Sequence, residues 1–206
     1  MDLSLYVTYW PVLLKGLFFT LYVCSIGILI ALIGGLLLYR VNRIGLPISR
    51  FFYAVYLNVF RGTPLLVQVY LVYYGGPFIG LELTAEQVGI LGLVLYGAAY
   101  FAEIYRSGFE SIPKGHLEAA YDLGYSPQKI LIHIQLPQMF GLIIPPAINQ
   151  IIILIKESAI LSIITVPELT TAAITMATQT FSVVEPYLFL AVIYWAITFI
   201  VAKIGS

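Results

Sequence analysis

Long apolar runs broken by short polar ones set the pattern of this chain. A helix needs about 20 mostly apolar residues to cross a bilayer. Five segments reach that length: roughly Leu17–Tyr39, Ser49–Tyr73, Val88–Ser107, Leu136–Lys156 and Pro186–Lys203. The second is interrupted by Arg61-Gly62-Thr63-Pro64 and the fourth contains Pro145-Pro146, so a break or kink is expected at both places. Strict period-two alternation is absent, which argues against a membrane β-barrel. Between the fourth and fifth runs lies the semi-polar, Thr-rich stretch Val166–Thr180. It reads as a short helix packed on protein, with Pro167 at the first helical position. The expected fold is an all-α integral membrane protein with five transmembrane helices. One domain spans residues 1–206, with no internal repeat and no soluble domain.

Composition supports the membrane assignment. Of 206 residues, 61% are hydrophobic and 10% charged, against about 25% charged in soluble domains. Such a chain cannot cover a water-facing surface. Lys plus Arg and Asp plus Glu number ten each, with no basic tail or stripe, so a nucleic-acid partner is not expected. Met1-Asp2-Leu3-Ser4 carries no positive charge and no small-residue cleavage site follows, so the first apolar run is expected to stay as a span. Cys24 is the lone cysteine, and His116 and His133 stand seventeen apart without companions, so no metal site is expected.

Basic residues set the expected orientation. Arg40, Arg43 and Arg50 lie in the first connection, Arg106, Lys114 and Lys129 around the third, and Lys203 after the fifth run. The second connection, Gly75–Gln87, holds Glu82 and Glu86; the fourth holds Glu168 and Glu185. Lys15 is the one exception. The N-terminus is therefore expected outside and the C-terminus inside.

That orientation puts one polar insert, Ser111–Lys129, in the cytoplasm. Ser111 is suited to cap a helix whose first turn holds Pro113. The helix is expected over Lys114–Leu123 and to stop at Gly124, a residue suited to the left-handed position after a helix end. Ser126-Pro127 repeats the start signal for a second helix. Leu117, Ala120 and Tyr121 share one face by their spacing. Glu118 and Asp122 offer two carboxylates on a neighbouring face, and Ala119 and Ala120 permit close backbone approach. A docking helix for a cytoplasmic partner fits these features. A helix lying on headgroups is the alternative, and two carboxylates facing anionic lipid argue against it.

Glu118-Ala119-Ala120, then three residues, Gly124, nine residues, and Ile134-Gln135-Leu136-Pro137 resemble the EAA signature of membrane subunits of bacterial ABC importers. Wider strings resemble the polar amino acid permease branch. They are Arg61-Gly62-Thr63-Pro64-Leu65-Leu66-Val67-Gln68, Tyr100-Phe101-Ala102-Glu103-Ile104-Tyr105-Arg106, Ile112-Pro113-Lys114-Gly115, Leu136-Pro137-Gln138 and Val166-Pro167-Glu168-Leu169. The resemblance implies a type I importer. In it, two permease subunits, identical or homologous, form the path. Two cytoplasmic ATPase subunits bind ATP-Mg and each grip one coupling helix. An extracytoplasmic binding protein delivers a polar amino acid. Glu118, Ala119, Ala120 and Gly124 carry over to the ATPase-coupling role. This chain has no Gly-x4-Gly-Lys-Ser/Thr phosphate loop, so ATP must be hydrolysed by a separate chain. The subunit itself is expected to be non-catalytic and to hold no cofactor, within a bacterial cytoplasmic membrane. One departure is Lys156-Glu157-Ser158-Ala159-Ile160, where the branch commonly has Lys-Asp-Thr-Ser-Leu.

Polar groups inside spans are costly and usually face a cavity or a partner. Asn58, Glu103, Glu157 and Ser158 are the candidate substrate-binding residues. Arg61 has two readings: an ion pair supporting the kink, or a group at unwound backbone beside a cavity. Glu103 either pairs with Arg106 one turn on or faces the path. If Glu103 and Glu157 both line it, the cavity is anionic and favours a cationic amino acid such as arginine, lysine or histidine. A stand-alone secondary transporter or channel for small polar solutes is the rival reading. Five spans without a repeat, and a docking helix without a partner, suit it poorly.

Overall fold

The computed structural model describes residues 4–205. Met1 to Leu3, part of the stretch on which the uncleaved first run was argued, lie outside the described residues, as does Ser206. Helix α1 runs Ser4–Arg43, thirteen residues earlier than the apolar run alone predicted. Forty residues rise about 60 Å, twice a hydrocarbon core of about 30 Å, so α1 projects beyond any bilayer it crosses. Lys15 is then an exposed residue within α1.

The second predicted span is two helices. α2 covers Pro47–Gly62 and α3 covers Leu65–Gly75, and a 3-10 turn carries α3 on to Ile79. The two halves meet at 100°. α4 spans Ala85–Glu110 and starts with a complete capping box, in which Thr84 and Gln87 exchange side-chain and backbone bonds. α5 is Lys114–Asp122. A further apolar element then runs from Pro127 to Ile164. It begins as α6 (Pro127–Ile130), passes a π turn over Leu131–Gln135, continues as α7 (Leu136–Glu157) and ends in a 3-10 stretch to Ile164. The second helix of the polar insert and the fourth span are thus one element. The π turn has a local cause: Pro137 lacks an N–H, and the Leu136 N–H reaches five residues back to the Leu131 carbonyl. No break forms at Pro145-Pro146; α7 stays helical through both prolines. α8 covers Leu169–Thr180 and α9 Val184–Ile204. Pro167 does not open α8. Glu168 is its cap, accepting from the Thr170 and Thr171 N–H groups at 2.8 Å each, so Pro167 stands before the cap.

Four helical elements among the described residues are long and apolar enough to cross a membrane, and α2 with α3 makes a fifth if the bent pair counts as one span. In lipid, helices approach through small residues rather than through exclusion of water. α1 and α4 pack this way: Gly27, Ala31, Gly34 and Gly35 meet Leu93, Gly97, Ala98, Phe101 and Ala102. A Cβ on Gly35 would lie 2.6 Å from the Phe101 Cβ and 2.9 Å from the Ala102 nitrogen, so only glycine permits this crossing. The main core gathers Val23, Ile28, Leu93, Phe101, Leu154 and Leu161 between α1, α4 and α7. α8 lies against α1, where the Thr20 hydroxyl accepts from the Leu169 N–H at 3.0 Å. α9 closes one side and leaves Trp195, Phe199 and Ile200 exposed, as a lipid-facing helix would.

Candidate functional site

The break between α2 and α3 begins with Thr63, driven extended (φ −120°, ψ 146°) by the following Pro64. Ending α2 there strands the carbonyls of its last turn. The Thr63 N–H and hydroxyl both donate to the Val59 carbonyl, at 3.1 and 2.7 Å. The Gln68 amide, reaching back from the first turn of α3, donates to the Phe60 carbonyl at 3.0 Å, the Thr63 carbonyl at 3.1 Å and the Thr63 hydroxyl at 2.9 Å. The Val59, Phe60 and Thr63 carbonyls at the break therefore find donors within the chain, as a low-dielectric setting favours. Gln68 was visible in the sequence only as part of a matching string; its clamp role has no periodic signal.

This geometry turns Asn58 and Arg61 toward α4. A cleft of about 560 Å³ lies there, lined by Tyr53, Leu57, Asn58, Arg61, Gly62 and Tyr100. Of the four predicted substrate residues, Asn58 alone is part of its lining. Arg61 stacks its guanidinium 5.2 Å from the Tyr100 ring centre. Glu103 stands at the cleft's edge, tied to two lining residues: it accepts the Tyr53 hydroxyl at 2.8 Å and lies 3.4 Å from Arg61 Nη1. Arg106 grips the same carboxylate with two bonds of 2.9 Å and also reaches Glu110. The pairing of Glu103 with Arg106 one turn on is present, and the carboxylate sits beside the cleft rather than in its lining. Four charges thus alternate from the cleft to the end of α4. Of the two cations Arg61 is held less tightly: its one ion pair is 3.4 Å long, against two bonds of 2.9 Å from Arg106, so donors remain to meet a solute.

Ser158 is a correction. It is buried, and its hydroxyl donates to the Ile155 carbonyl at 2.8 Å, so it is absent from the cleft lining. Adjacent helical side chains diverge by about 100°, which sends Ser158 into the core when Glu157 faces outward. Glu157 is half-buried and within electrostatic range of Tyr96. The Tyr96 hydroxyl lies 3.3 Å from that of Tyr100, so Glu157 reaches the cleft only through two tyrosines. Tyr96, Tyr100 and Glu103, spaced four and three apart on α4, form a polar stripe that periodicity could have revealed.

The polar insert between α4 and α7 is helical, with its stop and second start where the signals place them. α5 ends at Gly124 with φ 77°, and the Tyr125 N–H bonds back to the Ala120 carbonyl at 3.0 Å, closing the helix in the Schellman manner. Ser126 caps α6 through the Lys129 N–H. Ser111 does not cap α5: its hydroxyl donates to the Ser107 carbonyl at the end of α4, because the intervening Ile112 is buried and Pro113 takes the cap position. The two alanines diverge. Ala120 is 3% exposed, packed inward, while Glu118 and Ala119 face out. Tyr121 does not share the inward face of Leu117 and Ala120; it is 57% exposed. Leu117 packs with Ile112, Met139 and Ile143, and His116 Nδ1 lies 2.9 Å from Gln138 Oε1. α5 is therefore fastened to the base of both α4 and α7. Among the described residues, no three His, Cys, Asp or Glu side chains gather to hold a metal.

Comparison with known proteins agrees with this architecture. Residues 25–204 match the family described as binding-protein-dependent transport system inner membrane component. The probable amino-acid ABC transporter permease protein YckA of Bacillus subtilis (strain 168) is 36% identical over 94% of this chain and 85% of its own length. The arginine transport system permease protein ArtQ of the same organism is 34% identical over 100% and 94%. Among solved structures, an amino acid ABC transporter crystallised with histidines superposes with a TM-score of 0.93, at 32% identity over 100% of this chain and 96% of that one. A methionine ABC transporter in inward-facing form shares the fold, with a TM-score of 0.67 at 21% identity.

Proposed function

The chain belongs to the family of binding-protein-dependent transport system inner membrane components, as an amino acid ABC transporter permease, and from that premise we propose how its parts divide the work. Membership makes it a non-catalytic membrane subunit and implies an ATPase and a binding protein as partners, with ATP used on the ATPase. It displaces the rival reading of a stand-alone secondary transporter.

α5 is the coupling element, and one observation carries this reading. Glu118 and Ala119 are presented outward on a helix whose other face is fastened to the ends of α4 and α7. A partner that moves α5 moves the helices bearing Glu103 and Glu157 with it. Ala120 supports the helix from below, and Gly124 ends it in a backbone conformation that other residues adopt only with strain. The basic connections face the cytoplasm, with the N-terminus outside and the C-terminus inside. A second permease subunit, identical or homologous, completes the path. The experiment is cross-linking of the assembled transporter through Ala119→Cys. A bond to the ATPase that shifts with ATP supports the assignment. Labelling of that cysteine by an impermeant reagent from outside intact cells overturns it.

For the cargo we infer a polar amino acid handled at the cleft of Asn58, Arg61 and Tyr100. Relatives named for arginine, glutamine and cystine leave its charge open. The case for a cationic cargo rests on Glu103 and Glu157. Glu103 already faces two guanidinium groups, which leaves Glu157 as the less committed carboxylate. A Glu103→Gln, Glu157→Gln double variant is expected to lose preference for arginine over glutamine in reconstituted uptake. An unchanged preference rejects the cationic reading.

A further inference from the structure

A second pocket lies on the opposite side of α2, between it and the last turns of α1. Its volume is about 350 Å³, and Leu38, Val41, Phe52, Val55, Val59 and Phe60 line it. Tyr53 and Tyr56 contribute only ring surface. Their hydroxyls are turned away, to Glu103 and to the Leu95 carbonyl at 2.8 Å each. The groove follows α2 from Phe52 to Phe60, eight residues or about 12 Å. It is therefore elongated along α2 and presents no polar group.

Its mouth has the opposite character. Arg40 and Arg43 end α1, and Arg50 sits in the first turn of α2, two residues from Phe52. All three are exposed, and none is ion-paired among the described residues. Glu110, which shares the surroundings of Tyr39 with Arg40 and Arg43, is taken by Arg106. The N-terminus of α2 adds free backbone N–H groups, since Leu46 supplies no side-chain cap.

We propose that this groove holds one acyl chain of an anionic phospholipid whose phosphate sits on Arg40, Arg43 and Arg50. An apolar slot beside unpaired guanidinium groups at a helix N-terminus matches that molecule at both ends. A second copy of this chain would cover the slot but leave three cations without partners. The inference asks only that this loop lie at a headgroup layer, on either side of the membrane.

The test uses the intact transporter, permease with its ATPase, reconstituted in vesicles of equal parts phosphatidylcholine and phosphatidylglycerol with matched chains. Lipid retained after extraction and purification is measured by mass spectrometry. Phosphatidylglycerol is expected to be enriched, and Arg43→Gln and Arg50→Gln should each lower that preference about fivefold. Val55→Trp keeps every charge and fills the slot, so it should abolish retention of either lipid while the transporter still assembles. Equal retention of the two lipids by the unaltered protein overturns the proposal, as does full retention in Val55→Trp. Efficient disulfide formation between two Val55→Cys permeases also overturns it, because a second copy then occupies the groove.

Discussion

Proline interrupts two apolar elements of this chain, with opposite results. Pro64 stands where α2 turns into α3 at 100°; Pro145 and Pro146 sit inside α7, which runs on. The difference lies in what surrounds the freed backbone groups. Before Pro64, Gly62 has open space around it and Thr63 is extended. Donors from Thr63 and Gln68 then hold the Val59, Phe60 and Thr63 carbonyls there. In α7 the Pro145 ring presses on the carbonyl four residues back, which belongs to Gly141. Glycine lets that peptide tilt, and no neighbour stands within 4 Å of where its Cβ would be. Packing of Met139 and Ile143 against α4 at Gly108 keeps the helix on course. A proline thus permits a bend, and polar groups waiting on the far side turn it into a corner.

The most severe test of that contrast is Gln68→Leu. It removes an amide whose two hydrogens serve three acceptors, one of them shared, and leaves the Phe60 and Thr63 carbonyls without that donor, so a loss of about 3 kcal/mol is expected in denaturation of the purified subunit. The Asn58–Arg61 cleft should also lose definition, read as weaker amino acid binding. A variant that melts like the parent would show that the corner needs no clamp. Next comes Pro145→Ala, which restores a helical N–H and should stabilise by about 2 kcal/mol, within the roughly 3 kcal/mol that an interior proline costs. The same measurement sharpens the glycine argument. Gly141→Ala should bring no gain in the parent but the usual ~1 kcal/mol in the Pro145→Ala background. The smallest effect is expected from Pro64→Ala, under about 1 kcal/mol, because the Thr63 and Gln68 bonds do not involve the missing N–H. Cysteine pairs across the α2–α3 corner would report whether the bend persists.

Much of the fold was legible in the residues. Every apolar run is helical, the second as two helices, and the break at Arg61–Pro64, the stop at Gly124 and the start at Ser126 follow from local stereochemistry. Boundaries set by tertiary contact were missed. α1 extends back to Ser4, where the Tyr6 hydroxyl reaches the Glu185 carbonyl at 2.9 Å, a partner 179 residues away. Ser111 lost its cap role to Pro113 because Ile112 is drawn into the cluster under α5. The candidate site was half legible. Asn58 and Glu103 stood out as polar groups in apolar runs, whereas Tyr53, Tyr100 and Gln68 look ordinary until the corner brings them to one place. Ser158 misled because a hydroxyl in a helix can satisfy itself on its own backbone.

The amino-acid order by itself determined that this is a helical membrane protein with a polar insert between two apolar elements. Lipid tolerates only long apolar helices, and Gly, Pro and Ser act within a turn or two of where they stand. Only the tertiary structure decided which side of each helix meets a neighbour. It buried Ala120 while leaving Ala119 free, gave Glu103 two guanidinium partners from different helices and curled α2 over a cleft. Those outcomes depend on contacts between residues far apart in the chain, where small side chains let backbones touch and each buried polar group must find its partner.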